Sequence, residues 1–163
     1  MNLYGFEVKV VFLIHNDEVF AYAWHYDERR ALKHLSRIME YHDLKGEIKK
    51  STELEKWLKR EIDKVVMGGS KFTLPNFKYR NRSVYESIMK IPKGKTATYA
   101  EIAKISAVKY TEMLKSLMRN PFQILIPCHR LLTNKGSLFG FYPLGKEVKR
   151  KLLEIEGVEL KIH

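Results

Sequence analysis

Residues 98–130 read TYAEIAKISAVKYTEMLKSLMRNPFQILIPCHR and hold two short helical patterns followed by an apolar run. Thr98 and Glu101 form a capping pair at the start of the first pattern, and Thr111 is the expected N-cap of the second. Pro121 ends the second pattern, because proline cannot continue a helix. Two helices joined by so short a turn predict a helix-turn-helix motif.

The apolar run over residues 122–127 is predicted to be extended, and it delivers Cys128, His129 and Arg130 directly behind a proline. A thiol attacks as its thiolate, and a neighbouring imidazole, a guanidinium group and a basic domain all favour that anion. These residues alone leave two interpretations open. Cys128 is either a reactive nucleophile or an inert buried cysteine beside a surface histidine.

The first half of the chain carries the pattern of a small sheet with two helices. Apolar and polar residues alternate over 6–14, residues 15–17 (HND) form a turn, and a second run at 19–24 completes a predicted β-hairpin. Amphipathic helical patterns follow at 28–41 and 52–66. Together with the helices of the second half, these elements predict an α/β fold.

A linker-like stretch separates the two halves. Residues 68–81 (GGSKFTLPNFKYRN) carry glycine and proline, which interrupt regular structure. We place a domain boundary there and predict a small N-terminal α/β domain of sheet and helices over 1–75. A mostly helical C-terminal domain with the helix-turn-helix follows over 76–163. Ser83 and Glu86 form the capping pair expected at its first helix.

Positive charge is concentrated in the second half. Residues 1–77 hold 13 Lys and Arg against 12 Asp and Glu, whereas residues 78–163 hold 17 against 7, a net charge of +10. Such a domain is suited to a polyanion such as DNA. The alternative that charge alone leaves open is the lysine-rich, solvated surface of a thermophile protein.

Length and composition exclude several classes of protein. A chain of 163 residues, 45% of them hydrophobic, can bury a core. No run approaches the roughly 20 apolar residues of a membrane span, and the N-terminus MNLYGFEVKV lacks the features of a secretory signal. Cys128 is the single cysteine, so no internal disulfide can form. We therefore expect a cytoplasmic protein with no membrane partner.

The segment IPCHR (126–130), preceded by Asn120-Pro121, resembles the active-site motif of the O6-alkylguanine-DNA alkyltransferase family. The similarity extends to Thr98-Tyr99 and to LLEIEG (152–157), and it covers roughly residues 78–158. The resemblance implies DNA repair by transfer of the alkyl group from guanine O6 to Cys128. The resulting thioether is not hydrolysed, so each molecule of such a methylated-DNA–protein-cysteine methyltransferase reacts once.

The same resemblance assigns roles around Cys128. His129 would take the thiol proton through a bound water, Glu156 would orient the imidazole, and Tyr99 would donate a proton to the departing base. Asn120 would hold the backbone around the cysteine. Without the motif, Glu156 is an ordinary helix carboxylate, Tyr99 is a half-buried aromatic and Asn120 is a helix stop.

The expected DNA contacts lie on the helix-turn-helix. In the family, its second helix enters the minor groove and an arginine at its start fills the space left by the flipped nucleotide. This chain has Thr111 at that place, so either Tyr110 or Lys109 fills the space or flipping is less efficient. Further predicted DNA-binding residues are Lys115, Arg119 and Arg130.

Residues after the motif are expected to form the base pocket. The family usually has a tyrosine where this chain has Phe141, and Tyr142 is adjacent. The pocket therefore keeps an aromatic wall, and its preference for alkyl size stays open. The backbone of Leu131 and Tyr142 would contact the edges of the guanine.

The predicted partner is double-stranded DNA carrying O6-alkylguanine, bound by a monomer without a cofactor. We expect no metal, because the first half has no cysteine and its histidines show no ligand cluster; they are His15, His25, His34 and His42. Two rival functions are a DNA-binding module without chemistry and a cysteine hydrolase. The hydrolase would need an oxyanion hole and leaves the charge of +10 unexplained.

Overall fold

The computed structural model describes residues 1–160. The chain begins with two hairpins, formed by β1 (Asn2–Leu3) with β2 (Phe6–Glu7) and by β3 (Lys9–His15) with β4 (Glu18–His25). The second is the predicted hairpin and is confirmed. Its two-residue turn, Asn16-Asp17, has φ values of 50° and 61°. Asn and Asp tolerate this left-handed backbone better than other non-glycine residues do.

Both predicted helices of the first half are present. Helix α1 (Glu28–His42) packs against β3 and β4, and a third strand, β5 (Glu47–Lys49), pairs antiparallel with β3 to give the order β4-β3-β5. Helix α2 (Thr52–Val66) follows directly. Its N-cap is Ser51, whose hydroxyl accepts a hydrogen bond from a backbone N–H in the first turn.

The second half is mainly helical, as expected. Its elements are α3 (Arg82–Met89), β6 (Ala97–Thr98), α4 (Tyr99–Ser106), α5 (Tyr110–Met118), a 3-10 turn (Cys128–Arg130), β7 (Leu131–Leu132) and α6 (Lys146–Ile155). Strands β6 and β7 form a parallel pair that ties the start of α4 to the segment after Cys128. The structure thus confirms the predicted α/β fold class.

The helix caps were predicted with mixed success. The Thr98 hydroxyl accepts from the backbone N–H of Glu101, whose carboxylate accepts in return from the N–H of Thr98, so that capping box is confirmed. The prediction of Ser83 as an N-cap was wrong. The cap of α3 is Asn81, which has a left-handed backbone with φ 55° and makes no side-chain cap hydrogen bond.

A three-residue turn joins α4 to α5 and completes the helix-turn-helix. Ala107 ends α4 in the left-handed region at φ 57°, and Lys109 has an extended backbone and stands at the N-cap of α5. The prediction of Thr111 as the N-cap was therefore wrong, because the helix already begins at Tyr110. Thr111 is the second residue of α5 and is exposed.

Aromatic packing joins the two halves of the chain. The ring of Phe122 lies against those of Tyr22, Phe72 and Tyr79, at centroid distances of 5.8, 5.0 and 6.2 Å. The backbone N–H of Tyr22 also donates to the carbonyl of Pro121 over 3.0 Å. The division into domains 1–75 and 76–163 stays a prediction. Within residues 1–160, no helix is long and apolar enough to cross a bilayer.

Candidate active site

The segment that leads to Cys128 is folded into tight turns rather than the predicted extended run. The N–H of Ile126 donates to the carbonyl of Phe122 over 2.8 Å, and Ile124 has a positive φ of 81°. This backbone is strained for a β-branched residue. The turn is held because every residue from 121 to 130 is buried.

Asn120 is the polar group that braces these turns. Its Oδ1 accepts from the N–H of Phe122 over 2.9 Å, and its Nδ2 donates to the carbonyl of Ile126 over 3.2 Å. These are backbone contacts of the kind predicted for it. In addition, Nδ2 lies 3.5 Å from Cys128 Sγ, so the amide also donates to the thiol.

The thiol of Cys128 is 7% exposed, and burial raises its pKa. The expectation that neighbours in sequence would lower this pKa was wrong. Burial dominates, and the groups that oppose it are the amides of Asn120 and Gln123 and the ammonium group of Lys149. The proton must therefore be removed by a nearby base if the thiol is to react at neutral pH.

His129 and Glu156 are brought together although 27 residues separate them. Nε2 of His129 lies 3.1 Å from Oε1 of Glu156, and both side chains are fully buried. Burial lowers the pKa of His129 below 6.5, so its ring is neutral at pH 7. Within residues 1–160, Nδ1 has no hydrogen-bond partner and can accept a proton.

Arg130 points into the protein and not toward solvent, which contradicts its predicted contact with DNA. Its side chain is 3% exposed, and its guanidinium group donates to both carboxylate oxygens of Glu156 and to the carbonyls of Ile91 and Val65. The 3-10 turn points this residue inward. Although burial acts in the opposite direction, hydrogen bonds from His129 and Arg130 hold the pKa of Glu156 below its ordinary value.

Tyr99 lies at the first position of α4 and contacts a lysine that the sequence analysis missed. The Nζ atom of Lys149 donates to the Tyr99 hydroxyl over 2.7 Å. Lys149 is fully buried, which lowers its pKa to about 8. The sequence does indicate that Lys149 is buried, because it falls on the same face of α6 as the apolar residues Leu152 and Leu153.

A cavity of about 350 Å³ opens onto the thiol. Cys128, Tyr99 and Gln123 line it, with Phe141 and Tyr142 among the aromatic and apolar residues; the others are Leu114, Leu117, Met118, Phe139 and Gly140. Of the predicted pocket residues, Leu131 alone lies outside this lining. It is fully buried and pairs with Ala97 in the short parallel sheet.

Comparison with known proteins identifies the second half of the chain. The family model described as the DNA-binding domain of 6-O-methylguanine DNA methyltransferase matches residues 80–158, which include the thiol, the cavity and the helix-turn-helix. Residues 80–158 are therefore a domain of the 6-O-methylguanine DNA methyltransferase type. The family predicted from the motif around Cys128 is thereby confirmed.

Relatives in this family are similar over the same region. Methylated-DNA–protein-cysteine methyltransferase of Methanothermobacter thermautotrophicus is 40% identical over 80 residues, which are 49% of this chain and 45% of the relative. The Saccharolobus islandicus protein of that name is 41% identical over 78 residues, or 48% of this chain and 50% of the relative. The matched region therefore spans about half the length of these curated relatives.

Solved structures of the family share the fold. The O6-methylguanine-DNA methyltransferase of Pyrococcus kodakaraensis superposes over 93% of this chain and 92% of its own, with a TM-score of 0.67 and 25% identity. Mycobacterium tuberculosis OGT in complex with DNA superposes over 60% of this chain and 63% of its own, with a TM-score of 0.52 and 27% identity. The first match extends the family fold into the N-terminal half.

The predicted DNA-contacting residues of this methyltransferase-type domain lie around α5. Lys109, Tyr110, Thr111 and Lys115 are exposed, and Arg119 at the end of α5 is partly exposed. Tyr110 borders a second, open groove of about 510 Å³ between Tyr99 and a loop that holds Lys135. Their roles in DNA binding stay predictions. In residues 1–160, no three His, Cys, Asp or Glu side chains are grouped to hold a metal ion.

Proposed function

We propose that this protein repairs double-stranded DNA by transferring the alkyl group of O6-alkylguanine to Cys128, once per molecule. One observation carries the proposal: Cys128 and Tyr99, a thiol and a phenol, line one apolar cavity whose wall includes apolar side chains of helix α5. A flipped guanine in this cavity would meet a nucleophile and a proton donor together.

The contacts on the site support the following sequence of steps. Nδ1 of His129 takes the thiol proton through a water, and the Glu156 carboxylate stabilises the imidazolium. The sulfur then attacks the alkyl carbon, a C–S bond forms and the C–O6 bond breaks. The electron pair of that bond passes to the guanine, which accepts a proton from Tyr99. The products are a Cys128 thioether and unmodified guanine.

The exposed basic side chains near α5 support DNA as the partner. Lys109 and Lys115 stand on either side of Tyr110 and Thr111, where phosphates flanking the flipped nucleotide would pass. The thiol, the phenol and the His129–Glu156 pair form a complete arrangement within one copy of the chain, so the proposed reaction as a monomer needs no residue of a second copy. A thiol acceptor must stay reduced, which supports a cytoplasmic location.

Intact mass measurement tests this function. Incubation with one equivalent of duplex DNA containing O6-methylguanine should add a single methyl group, mapped to Cys128. Cys128→Ser should abolish transfer and retain binding to the same duplex. Repeated turnovers by one protein molecule, or methylation of another residue, would overturn the proposal and favour a different reaction.

A further inference from the structure

Gln123 lies where the N-terminal sheet meets the cavity of Cys128. It is 6% exposed, and its Oε1 accepts a hydrogen bond of 2.6 Å from the indole Nε1 of Trp24, on strand β4. The hydroxyl of Tyr22, on the same strand, donates to the Gln123 backbone carbonyl. Two side chains of one strand therefore hold both ends of this residue.

The contact with Trp24 decides which way the amide of Gln123 faces. An indole N–H only donates, so the oxygen of the amide must lie on the side of Trp24 and the NH₂ group must point into the site. One N–H donates to the carbonyl of Tyr142 over 2.6 Å. Gln123 and Cys128 line the same cavity, and the Gln123 amide acts against burial to lower the pKa of the thiol.

We propose that Gln123 is a positioning residue, through which the N-terminal sheet holds an amide N–H donor in the cavity of Cys128 and fixes the pocket wall at Tyr142. With the Asn120 amide, which donates to the sulfur, it gives the site two amide donors. Because an anion in an apolar pocket is stabilised mainly by such fixed donors, the sheet tunes the reactivity of a residue more than 100 positions away in sequence. A flipped amide would instead turn its oxygen toward the thiolate and repel it.

The part of this inference that concerns the thiol does not depend on the proposed DNA repair, whereas its effect on alkyl transfer rests on that function. The experiment therefore uses a small electrophile that needs no DNA. Iodoacetamide alkylates the thiolate, and its rate as a function of pH reports the pKa of Cys128 in the full chain. Thiolate absorbance near 240 nm gives the same pKa without a reaction.

Gln123→Met keeps the length of the side chain and removes its hydrogen bonds. We expect it to slow iodoacetamide alkylation at pH 7 about tenfold, equivalent to an increase of one unit in the pKa of the thiol. Gln123→Glu keeps an acceptor for Trp24 and replaces the donor by a negative charge, so it should slow the reaction further. Trp24→Phe frees the amide to turn and should have a smaller effect in the same direction.

The double variant Trp24→Phe/Gln123→Met should react no more slowly than Gln123→Met alone, because Trp24 acts through the amide. Tyr79→Phe is the matched control. It removes a buried hydroxyl that donates to the Phe20 carbonyl over 2.7 Å and has no polar contact with the site, so the pKa should not change. Thermal unfolding of each variant separates loss of fold from loss of reactivity.

An unchanged pKa and rate in Gln123→Met would overturn the proposal. So would a shift in Tyr79→Phe as large as that in Trp24→Phe, since packing would then explain both. If Gln123→Met does not fold, Trp24→Phe, which keeps the aromatic ring, decides the matter. If neither the unchanged protein nor any variant accepts a methyl group from DNA, the repair function is refuted. The iodoacetamide rates still decide the role of Gln123.

Discussion

Lys149 donates a 2.7 Å hydrogen bond from Nζ to the hydroxyl of Tyr99, and its only other polar contact in the part of the chain that is described is the carbonyl of Gly140 at 3.4 Å. A fully buried ammonium group without a carboxylate partner costs folding free energy. The same charge lowers the pKa of Cys128 against the effect of burial. Lys149 thus favours the thiolate of Cys128 at the expense of the fold.

Lys149→Met should therefore stabilise the protein at pH 7 by on the order of 1 kcal/mol and slow alkyl transfer about tenfold. Burial lowers the pKa of Lys149 from 10.5 to about 8, so the folded state binds fewer protons between these values. The destabilisation of the fold by the Lys149 charge is complete below pH 8 and disappears as the pH rises through 10.5. The stability gained in Lys149→Met should disappear over the same range. Urea unfolding at pH 7 and near pH 10 measures this difference.

Lys151→Met is the control for that comparison, because Lys151 is an exposed lysine on the same helix. Its substitution should leave both stability and transfer rate nearly unchanged. A loss of stability at pH 7 in Lys149→Met would show that the hydrogen bond to Tyr99 outweighs the cost of the buried charge.

The pH dependence of alkyl transfer should be flat between about pH 6.5 and pH 8. Burial lowers the pKa of His129 below 6.5, so the imidazole is neutral and able to accept the thiol proton throughout this range. The rate should decline only below this range, as His129 becomes protonated, and again above about pH 8, as Lys149 loses its charge. Single-turnover rates across the range measure both limbs.

Loss of the thiol proton to solvent, and not to His129, predicts a different dependence of the rate on pH. If the thiol lost its proton to solvent instead, the rate would rise about tenfold per pH unit through the same range, because the pKa of Cys128 is raised. His129→Gln should convert the flat profile into that slope. Lys149→Met should remove the decline above pH 8 and leave the limb at low pH in place.

Arg130→Met should destabilise the fold by about 3–5 kcal/mol, because it leaves the buried carboxylate of Glu156 without its bidentate partner. It should not change how steeply DNA affinity falls with salt. Lys115→Ala should change the free energy of unfolding by less than about 0.5 kcal/mol. It should make the fall of DNA affinity with salt less steep, by about one in the slope. Denaturant unfolding and binding to undamaged duplex at several salt concentrations distinguish the two. A smaller salt slope in Arg130→Met would show that Arg130 contacts phosphate, as the sequence predicted.

Most elements whose structure depends on near neighbours were predicted from the sequence, although the predicted N-caps at Ser83 and Thr111 were wrong. The hairpin around Asn16, helices α1 and α2 and the Thr98 capping box all follow from local periodicity and side-chain chemistry. The sequence did not predict the roles of Gln123 and Lys149 or the inward turn of Arg130. Each depends on a contact with a residue 26 or more positions away. Adjacency to Cys128 says nothing about which way a side chain points.

Thr111 sits in the first turn of α5, at the place where relatives were expected to carry an arginine that fills the space of the flipped base. It is exposed and too short to enter a base stack, whereas the neighbouring Tyr110 is 46% exposed and borders the groove beside Tyr99. Occupation of the vacated space keeps the nucleotide from returning, so the side chain at this place should affect flipping and not the chemistry.

Thr111→Arg should therefore speed transfer from duplex DNA several-fold and barely change the rate with free O6-methylguanine base, which needs no flipping. Tyr110→Ala should slow the duplex reaction selectively, because it removes the exposed ring that we expect to stack in the gap. Lys109 has an extended backbone at the N-cap of α5 and reaches the vacated space only from the turn. Lys109→Ala should therefore slow the duplex reaction less than Tyr110→Ala does.

The rates of transfer from duplex DNA and from free base are measured side by side for each variant. Equal changes on both substrates would place these residues in the pocket or the fold, and the proposed role in flipping would be wrong.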